Sequence, residues 1–288
     1  MADLIGARHD SMQRLRRLSR RRSARTDERA YVVDGPTLLA EALDAGVRLD
    51  EVVAAPGCPD ALVERAAAAG AQVRRTRSED LARVVDAVTP RGVAGVARFT
   101  EPTAAEAVAA SGPLALVLVG VGDPGNAGTL LRSAEAAGAG AVIFCDGSVD
   151  PYSPKCVRSS AGSVFRLLVV RDGQAGVALE ALAAAGVPSV ATLARGAPAY
   201  DGVDLAGPVA VVLGSEAHGL PGPVADAVDA VVTIPMQGRA ESLNVAMAGT
   251  VLCFEALRQR RQRRPHGAAT QGNRLDEVPP RAAGCTTT

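Results

Sequence analysis

Three short polar stretches of the sequence hold the residue types that could do chemistry. They read DPGNAGTLLR, LGSEAHGL and IPMQGRAESLNV, and they begin at Asp123, Leu213 and Ile234. Each lies at the end of a segment with the composition of a strand. Ligands of open α/β sheets lie beyond the carboxyl ends of the strands, so the three stretches are expected to converge on one site.

The first two stretches place amide, guanidinium and carboxylate groups after tight turns. Asn126 is expected to cap the start of a helix, and Arg132 lies six residues on, nearly two turns along that helix. In the second stretch, Gly214 and Gly219 permit a tight path that presents Glu216. These side chains are our candidates for binding and orienting a substrate.

The third stretch leads from the end of a strand through a polar loop into the last predicted helix, residues 243–262. This helix is apolar over much of its circumference, which predicts burial on more than one side. Its first turn, near Ser242 and Asn244, offers free backbone N–H groups beside the loop. A ligand is expected to bind there.

The elements that must position these loops form two α/β units. In the first unit, strands are expected at residues 31–33, 49–54, 72–74 and 93–99, and helices at 37–45, 60–69 and 78–85. In the second, strands are expected at 114–119, 141–145, 167–170, 189–193, 209–213 and 231–234, and helices at 128–137, 154–160, 174–185, 224–227 and 243–262. The steady strand–helix alternation of the second unit predicts a mostly parallel sheet.

The first unit shows no polar cluster resembling a catalytic site, so we interpret it as a binding domain. The predicted organisation is a basic N-terminal arm (1–25), a binding domain (26–100), a linker (101–112), a second α/β domain (113–264) and a disordered tail (265–288).

Basic residues cluster at both ends of a chain whose net charge is zero. Arginines of the first 30 residues and of residues 258–264 could neutralise phosphates, or they could be solvated. Our candidates for contacts with a nucleic acid are Arg16, Arg17, Arg20, Arg21, Arg22, Arg25 and Arg158.

The five cysteines show no paired CxxC spacing and are odd in number, so neither a metal site nor a disulfide framework is expected. The chain begins without an apolar signal region, and no apolar run approaches the length of a membrane span. We therefore expect a cytoplasmic protein that binds no metal and no membrane.

A dinucleotide-binding alternative comes from GVGDPG at residues 120–125, which matches the pattern GxGxxG. It follows a strand, precedes a helix, and has Asp146 about twenty residues on. Against an NAD-dependent oxidoreductase, a whole domain precedes the motif and Pro124 lies inside the turn that should wrap the pyrophosphate. That function would also leave the two later polar loops unexplained.

The three polar stretches together resemble the SpoU/TrmH family of RNA 2′-O-ribose methyltransferases in the SPOUT superfamily, and among them the TsnR-like rRNA methyltransferases. The resemblance rests on Asn-x-Gly followed by arginine, on Gly-x-Glu-x-x-Gly, and on Ile-Pro-Met followed by Ser-Leu-Asn-Val. These motifs are matched by Asn126, Gly128 and Arg132, by Gly214, Glu216 and Gly219, and by residues 234–236 and 242–245.

The resemblance implies a C-terminal domain with a trefoil knot, one of the rare exceptions to the rule that folded chains are unknotted. It also implies a ribosomal-protein L30e-like RNA-binding domain at the N-terminus and a homodimer formed through the C-terminal helix. S-adenosylmethionine (AdoMet) would bind in the knot. The positions that match its binding site are Thr192, Leu193, Gly214, Glu216, Gly219, Ile234, Met236, Ser242, Leu243 and Asn244.

Methyl transfer to a ribose hydroxyl needs both partners positioned and the hydroxyl proton removed. In the family, the arginine matching Arg132 is proposed as the general base, but deprotonating an ordinary guanidinium at pH 7 costs roughly 8 kcal/mol. Binding the neighbouring phosphate and stabilising the developing alkoxide is an equally weighted role. The other candidate catalytic residues are Asn126, Glu216, Ser242 and Asn244.

The sequence therefore predicts an AdoMet-dependent RNA 2′-O-methyltransferase that acts on 23S-type rRNA. A tRNA substrate is the alternative within the same chemistry. An RNA-binding protein that keeps AdoMet without turnover is an alternative of another class, as is the NAD-dependent oxidoreductase.

Overall fold

The computed structural model describes residues 4–85, 92–193 and 196–263. Two β-sheets, each covered by helices, follow one another along the chain and form an N-terminal and a C-terminal domain. The predicted disordered tail, residues 265–288, lies outside the described residues.

The N-terminal domain consists of β1 (Leu4–Ile5), α1 (Asp10–Arg20), α2 (Arg22–Glu28), β2 (Ala30–Asp34), α3 (Pro36–Asp44), β3 (Leu49–Ala54), α4 (Asp60–Ala68), β4 (Gln72–Thr76), α5 (Ser78–Val85) and β5 (Val93–Arg98). In its described part, the sheet has the order β1-β4-β3-β5-β2. Strand β5 is antiparallel to both neighbours, and the other pairs are parallel. Helices α3 and α4 pack in one hydrophobic cluster, and α1 and α5 pack in another.

The prediction of a basic arm over residues 1–25 is wrong for the described part of that stretch. Met12, Leu15 and Leu18 repeat at the spacing of one helix face and are fully buried against the sheet. The many arginines obscured this apolar face in the sequence, because they occupy the other sides of the same helix. Helix α1 is therefore part of the core of the N-terminal domain.

The C-terminal domain consists of α6 (Ala104–Ala110), β6 (Leu114–Leu118), α7 (Pro124–Ala136), β7 (Ala141–Cys145), α8 (Pro154–Ser159), β8 (Leu168–Gly173), α9 (Ala175–Ala184), β9 (Ser189–Leu193), β10 (Val209–Leu213), α10 (Gly222–Ala227), β11 (Ala230–Thr233) and α11 (Val245–Arg263). Its sheet, over the described residues, has the order β11-β9-β10-β6-β7-β8, and each strand pair is parallel. The mostly parallel α/β sheet predicted for this region is confirmed.

The stretch interpreted as a linker, residues 101–112, contains helix α6 instead. Thr103 and Glu106 form a capping box at its start, in which each side chain binds a backbone N–H of the other. Ala107 and Val108 are buried against the parallel sheet. The segment therefore belongs to the C-terminal domain.

The two domains share a buried interface. Arg25 of α2 donates to Asp150, which follows β7, at 2.7 Å, and both side chains are about 95% buried. The chain has only four phenylalanines and three tyrosines, and two of each meet here: Tyr31, Phe99, Tyr152 and Phe165. The rings of Phe99 and Tyr152 stack 4.4 Å apart. These six residues, which we call the domain interface, fix the N-terminal domain against the C-terminal one.

Candidate active site

A cavity of about 380 Å³ opens at the carboxyl ends of β9, β10 and β11. The ten residues that the sequence predicts for cofactor binding all line it: Thr192, Leu193, Gly214, Glu216, Gly219, Ile234, Met236, Ser242, Leu243 and Asn244. Three loops that are distant in the sequence are thus brought together, because neighbouring parallel strands end at the same edge of the sheet.

A hydrogen-bond network joins the three polar stretches beside this cavity. Asn126 donates through Nδ2 to the carboxylate of Glu216 at 2.9 Å and accepts through Oδ1 from Nδ2 of Asn244 at 3.0 Å. Asn244 in turn accepts from the N–H of Ala246 at the start of α11 at 2.9 Å. The network fixes the orientation of both amides and holds the second and third loops against the start of α7.

Glu216 is held ionised by its hydrogen bonds. Burial raises the pKa of its carboxyl, but the bonds from Asn126 and from the N–H groups of Gly122 and Asp123 outweigh that effect and lower the pKa below its ordinary value. Its role in the described structure is to join loops, since both of its oxygens are engaged.

Helix α7 is capped by Asp123, and the prediction that Asn126 is its N-cap is wrong. Asp123 accepts from the N–H groups of Gly125 at 2.7 Å and Asn126 at 2.9 Å. These backbone bonds and Lys155, at 3.1 Å, lower the pKa of the Asp123 carboxyl. Because Asp123 caps the helix, the side chain of Asn126 is free to join the network.

The GxGxxG sequence does not form an anion-binding turn. In a dinucleotide-binding fold, the N–H groups at the start of the helix face the pyrophosphate. Here the N–H groups of Gly122 and Asp123 bind Glu216, and those of Gly125 and Asn126 bind Asp123. Two carboxylates already occupy the place of the phosphates, which counts against the dinucleotide-binding alternative.

At two glycines of the motifs, another part of the chain comes so close to the backbone that there is no room for a side chain. A Cβ on Gly128 would lie 1.9 Å from Oγ of Ser159, where α8 crosses α7. A Cβ on Gly214 would lie 2.3 Å from the carbonyl carbon of Gly219, where the loop that carries Glu216 closes on itself. Substitution at Gly128 would force α8 away from α7, and substitution at Gly214 would displace the loop that carries Glu216.

Arg132 does not line the cavity of its own chain. It is exposed on α7, and the part of the chain that the structure describes shows no hydrogen bond to it. Six residues place it about 9 Å along the helix from Asn126 and on a different side. Its neighbour Ser133 faces α11, with its hydroxyl 2.7 Å from that of Thr250.

Two parts of the chain match models of known protein families. Residues 113–254 match the SpoU rRNA Methylase family, and residues 10–95 match the MRM3-like substrate binding domain. The chain is also 31% identical over 231 residues to the 23S rRNA (guanosine(2553)-2'-O)-methyltransferase RlmP of Bacillus subtilis, covering 80% of this chain and 89% of that protein.

The chain belongs to the SpoU rRNA methylase family. The family assignment made from the three motifs is therefore confirmed.

Two solved structures of similar proteins support the assignment. The AdoMet-bound rRNA methyltransferase from Sinorhizobium meliloti superposes with a TM-score of 0.81 at 30% identity, over 89% of this chain and 98% of that one. The SpoU methyltransferase AviRb from Streptomyces viridochromogenes, in complex with AdoMet, superposes with a TM-score of 0.78 at 28% identity, over 88% and 100%.

Within this SpoU-family chain, sequence reasoning missed several residues at the site. Ser215, Val245 and Ala248 also line the cavity. The first two adjoin predicted residues, and Ala248 lies one helical turn beyond Asn244, so the helix spacing was an available signal. The pairing of Lys155 with Asp123 had no sequence signal, because α8 meets α7 only through tertiary packing.

The seven arginines predicted to contact nucleic acid lie in three different settings. Arg16, Arg17, Arg20 and Arg21 are exposed and line a single groove on the N-terminal domain. Arg25 is buried in the domain interface, so its prediction as an RNA contact is wrong, because its guanidinium is bound by Asp150 and by the carbonyl of Leu18. The other two lie elsewhere: Arg22 pairs with Asp172, and Arg158 is half-buried on α8.

Among residues 4–85, 92–193 and 196–263, the structure shows no group of histidine, cysteine and carboxylate side chains suited to hold a metal ion. The same residues form no helix that is long and apolar enough to cross a membrane. Burial raises the pKa of the thiols of Cys145 and Cys253 to about 12, so neither thiol is a nucleophile at pH 7.

Proposed function

We propose that this protein transfers a methyl group from AdoMet to a ribose 2′-hydroxyl of 23S-type rRNA. The observation that carries the proposal is the cavity itself, which gathers the ten family-matched residues from three loops. The names of its relatives favour rRNA over tRNA as the substrate class: RlmP is a 23S rRNA methyltransferase, and the Sinorhizobium protein is named as an rRNA methyltransferase.

The residues of the cavity fit the cofactor. Its volume lies within the range of small-molecule sites. Leu193, Ile234, Met236 and Leu243 offer apolar surface for an adenine ring, and the loops beside them offer backbone polar groups. When bound, AdoMet supplies an electrophilic methyl group that is carried on a sulfonium. Transfer of this methyl group converts the sulfonium into a neutral thioether.

The remaining residues of the site position the ribose and stabilise charge. Asn126 and Asn244 hold the loops at the start of α7 and α11, and Ser242 contributes a hydroxyl to the cavity. Arg132, as a charged guanidinium, binds a phosphate beside the target ribose and stabilises the oxygen as its proton passes to solvent. This role requires no deprotonated arginine.

We propose that the active unit is a homodimer formed through α11. Met247 and Phe254 are 49% and 45% exposed, and with Val251 they form one apolar stripe along that helix. Such a stripe is expected to be covered by another chain. Since Arg132 lies outside its own cavity on the adjacent helix α7, a second chain that packs there would also complete the surroundings of this arginine.

We further propose that the C-terminal domain is knotted and that the N-terminal domain is L30e-like. The chain leaves β11 at the edge of the sheet and returns past the loop at residues 214–220 to α11, which packs on α7 and β10 near the centre. An experimental structure that traces residues 189–245 tests the knot.

For a chain with this substrate, we expect a cytoplasmic location.

Calorimetric titration of the purified protein with AdoMet, with NAD as the control, tests the proposed function. We expect micromolar binding of AdoMet at about one per protomer and none of NAD. Incubation with protein-free 23S rRNA and labelled AdoMet should then give a 2′-O-methylated nucleotide. Binding of NAD without AdoMet, or methylation of a base instead of a ribose, would contradict the proposal.

A further inference from the structure

A groove of about 520 Å³ runs along the exposed side of α1. Arginine side chains dominate its lining: Arg8, Arg16, Arg17, Arg20 and Arg21, together with Ala7 and Gln13. The spacing of residues 13, 16, 17 and 20 places them on one face of the helix, opposite the buried leucines. The groove lies away from the cavity at the ends of β9, β10 and β11.

The guanidinium groups of this groove are mostly free of carboxylates. Within the described residues, no carboxylate oxygen lies within 4.0 Å of Arg8, Arg16, Arg20 or Arg21, and only Arg17 is paired, with Glu28. Other arginines of the same segment are used differently. Arg14 binds Glu28 and Asp50, and the pKa of its guanidinium is raised because those bonds outweigh burial.

The arginines of the groove differ from Arg14 in energy as well, because unpaired positive charge on one face of a helix is destabilising by itself. Neighbouring guanidinium groups repel one another, and they are offset only by solvent, salt or an anionic partner. Asp10, at the start of α1, is the one acidic residue of that helix. The groove therefore concentrates positive charge in a molecule whose net charge is zero.

The groove is also fixed relative to the active site. Arg21 precedes α2, and four residues later Arg25 is bound to Asp150 in the domain interface. Asp150 follows β7 at the carboxyl edge of the parallel sheet, and the adjacent N–H of Val149 donates to the carbonyl of Val121, beside the loop that Glu216 joins. A ligand bound in the groove is thus held at a constant distance from the cavity.

We propose that this arginine groove binds the phosphate backbone of the substrate RNA at a place separate from the methylated nucleotide. The inference rests on the proposed function for its choice of RNA. Guanidinium groups suit phosphates because their planar donors bind two oxygens at once. Each phosphate contact releases counterions, so the contribution of the groove to binding depends on salt.

The test compares two double variants for binding to protein-free 23S rRNA transcribed in vitro. Arg16→Gln with Arg20→Gln removes two unpaired charges from the groove. Arg48→Gln with Arg65→Gln removes two exposed arginines of the same domain that do not line the groove. We expect the groove variant to bind roughly tenfold more weakly at low salt, with a slope of log K against log salt that is shallower by about two. The matched variant should behave as the unchanged protein.

A charge-preserving variant separates loss of charge from damage to the fold. Arg16→Lys with Arg20→Lys should keep the salt slope, while no variant should appreciably lower the melting temperature or the AdoMet affinity. Equal weakening by the groove and the matched variants, or an unchanged slope in the groove variant, would overturn the proposal. Failure of the unchanged protein to bind AdoMet would contradict the proposed function instead. The comparison of RNA affinities would still decide the role of the groove.

Discussion

The domain interface and the cavity are held together by different means. The domain interface packs four aromatic rings together and buries an ion pair, with Arg25 and Asp150 each about 95% excluded from solvent. The cavity is lined by loop residues, among which Glu216, Ser242, Leu243 and Asn244 are exposed, and a short hydrogen-bond network joins its loops.

The difference indicates which substitutions should affect stability and which should affect activity. A buried charge that loses its partner keeps its desolvation cost, so changes at the domain interface should lower the stability of the fold. Exposed groups lose little when they are removed, so changes around the cavity should alter function and leave stability nearly intact.

The largest effect is expected at the domain interface. Arg25→Ala leaves the Asp150 carboxylate buried without its charged partner, which should lower the free energy of unfolding by about 3–5 kcal/mol. The melting temperature should fall by roughly 10 °C in a thermal unfolding experiment. Its matched control is Arg22→Ala, because Arg22 also pairs across the domains but with exposed Asp172. That control should cost less than about 1 kcal/mol, and equal costs would show that burial does not distinguish the two pairs.

A large loss of activity with little loss of stability is expected at Arg132. Arg132→Ala should lower the rate of methyl transfer at saturating substrate by at least roughly 100-fold, since it removes charge stabilisation at the reacting oxygen. AdoMet affinity and melting temperature should stay nearly unchanged, because the side chain is exposed and does not line the cavity.

Arg132→Lys sharpens that test, and Arg65→Ala, at an exposed arginine of the N-terminal domain, is its control. A lysine keeps the positive charge, so partial activity with an unchanged pH profile would support the electrostatic role. Loss of AdoMet binding together with activity in Arg132→Ala would refute the assignment of this residue to the chemical step.

The smallest effect is a pH dependence at the loop network. The pKa of Glu216 is lowered in the folded protein, so its carboxylate contributes stability that is fully present above its ordinary value of 4.5. That contribution is lost as the pH falls through the lowered pKa. Glu216→Gln removes it, so the difference in melting temperature between the two proteins should be constant above about pH 5 and shrink below pH 4.5. A difference that does not change with pH would mean that the charge of Glu216 does not stabilise the network.

The sequence determined the chemistry and the type of the C-terminal fold. The motifs around Asn126, Glu216 and Asn244 predicted the family, and alternating strands and helices predicted the parallel sheet, because both are encoded in local spacing. All ten predicted cofactor residues line one cavity for the same reason, since loops that follow parallel strands end at one edge.

Only the tertiary structure decided how individual polar residues are used. Asp123 rather than Asn126 caps α7, and Arg25 supports the domain interface while Arg16 and Arg20 face a groove. Asp and Asn are similarly favoured as N-caps, and the three arginines lie in one basic stretch of the sequence, so local pattern cannot separate their roles. Their roles depend on partners far along the chain, such as Asp150 and Glu216, and burial and pairing with those partners fix the energy of each charge.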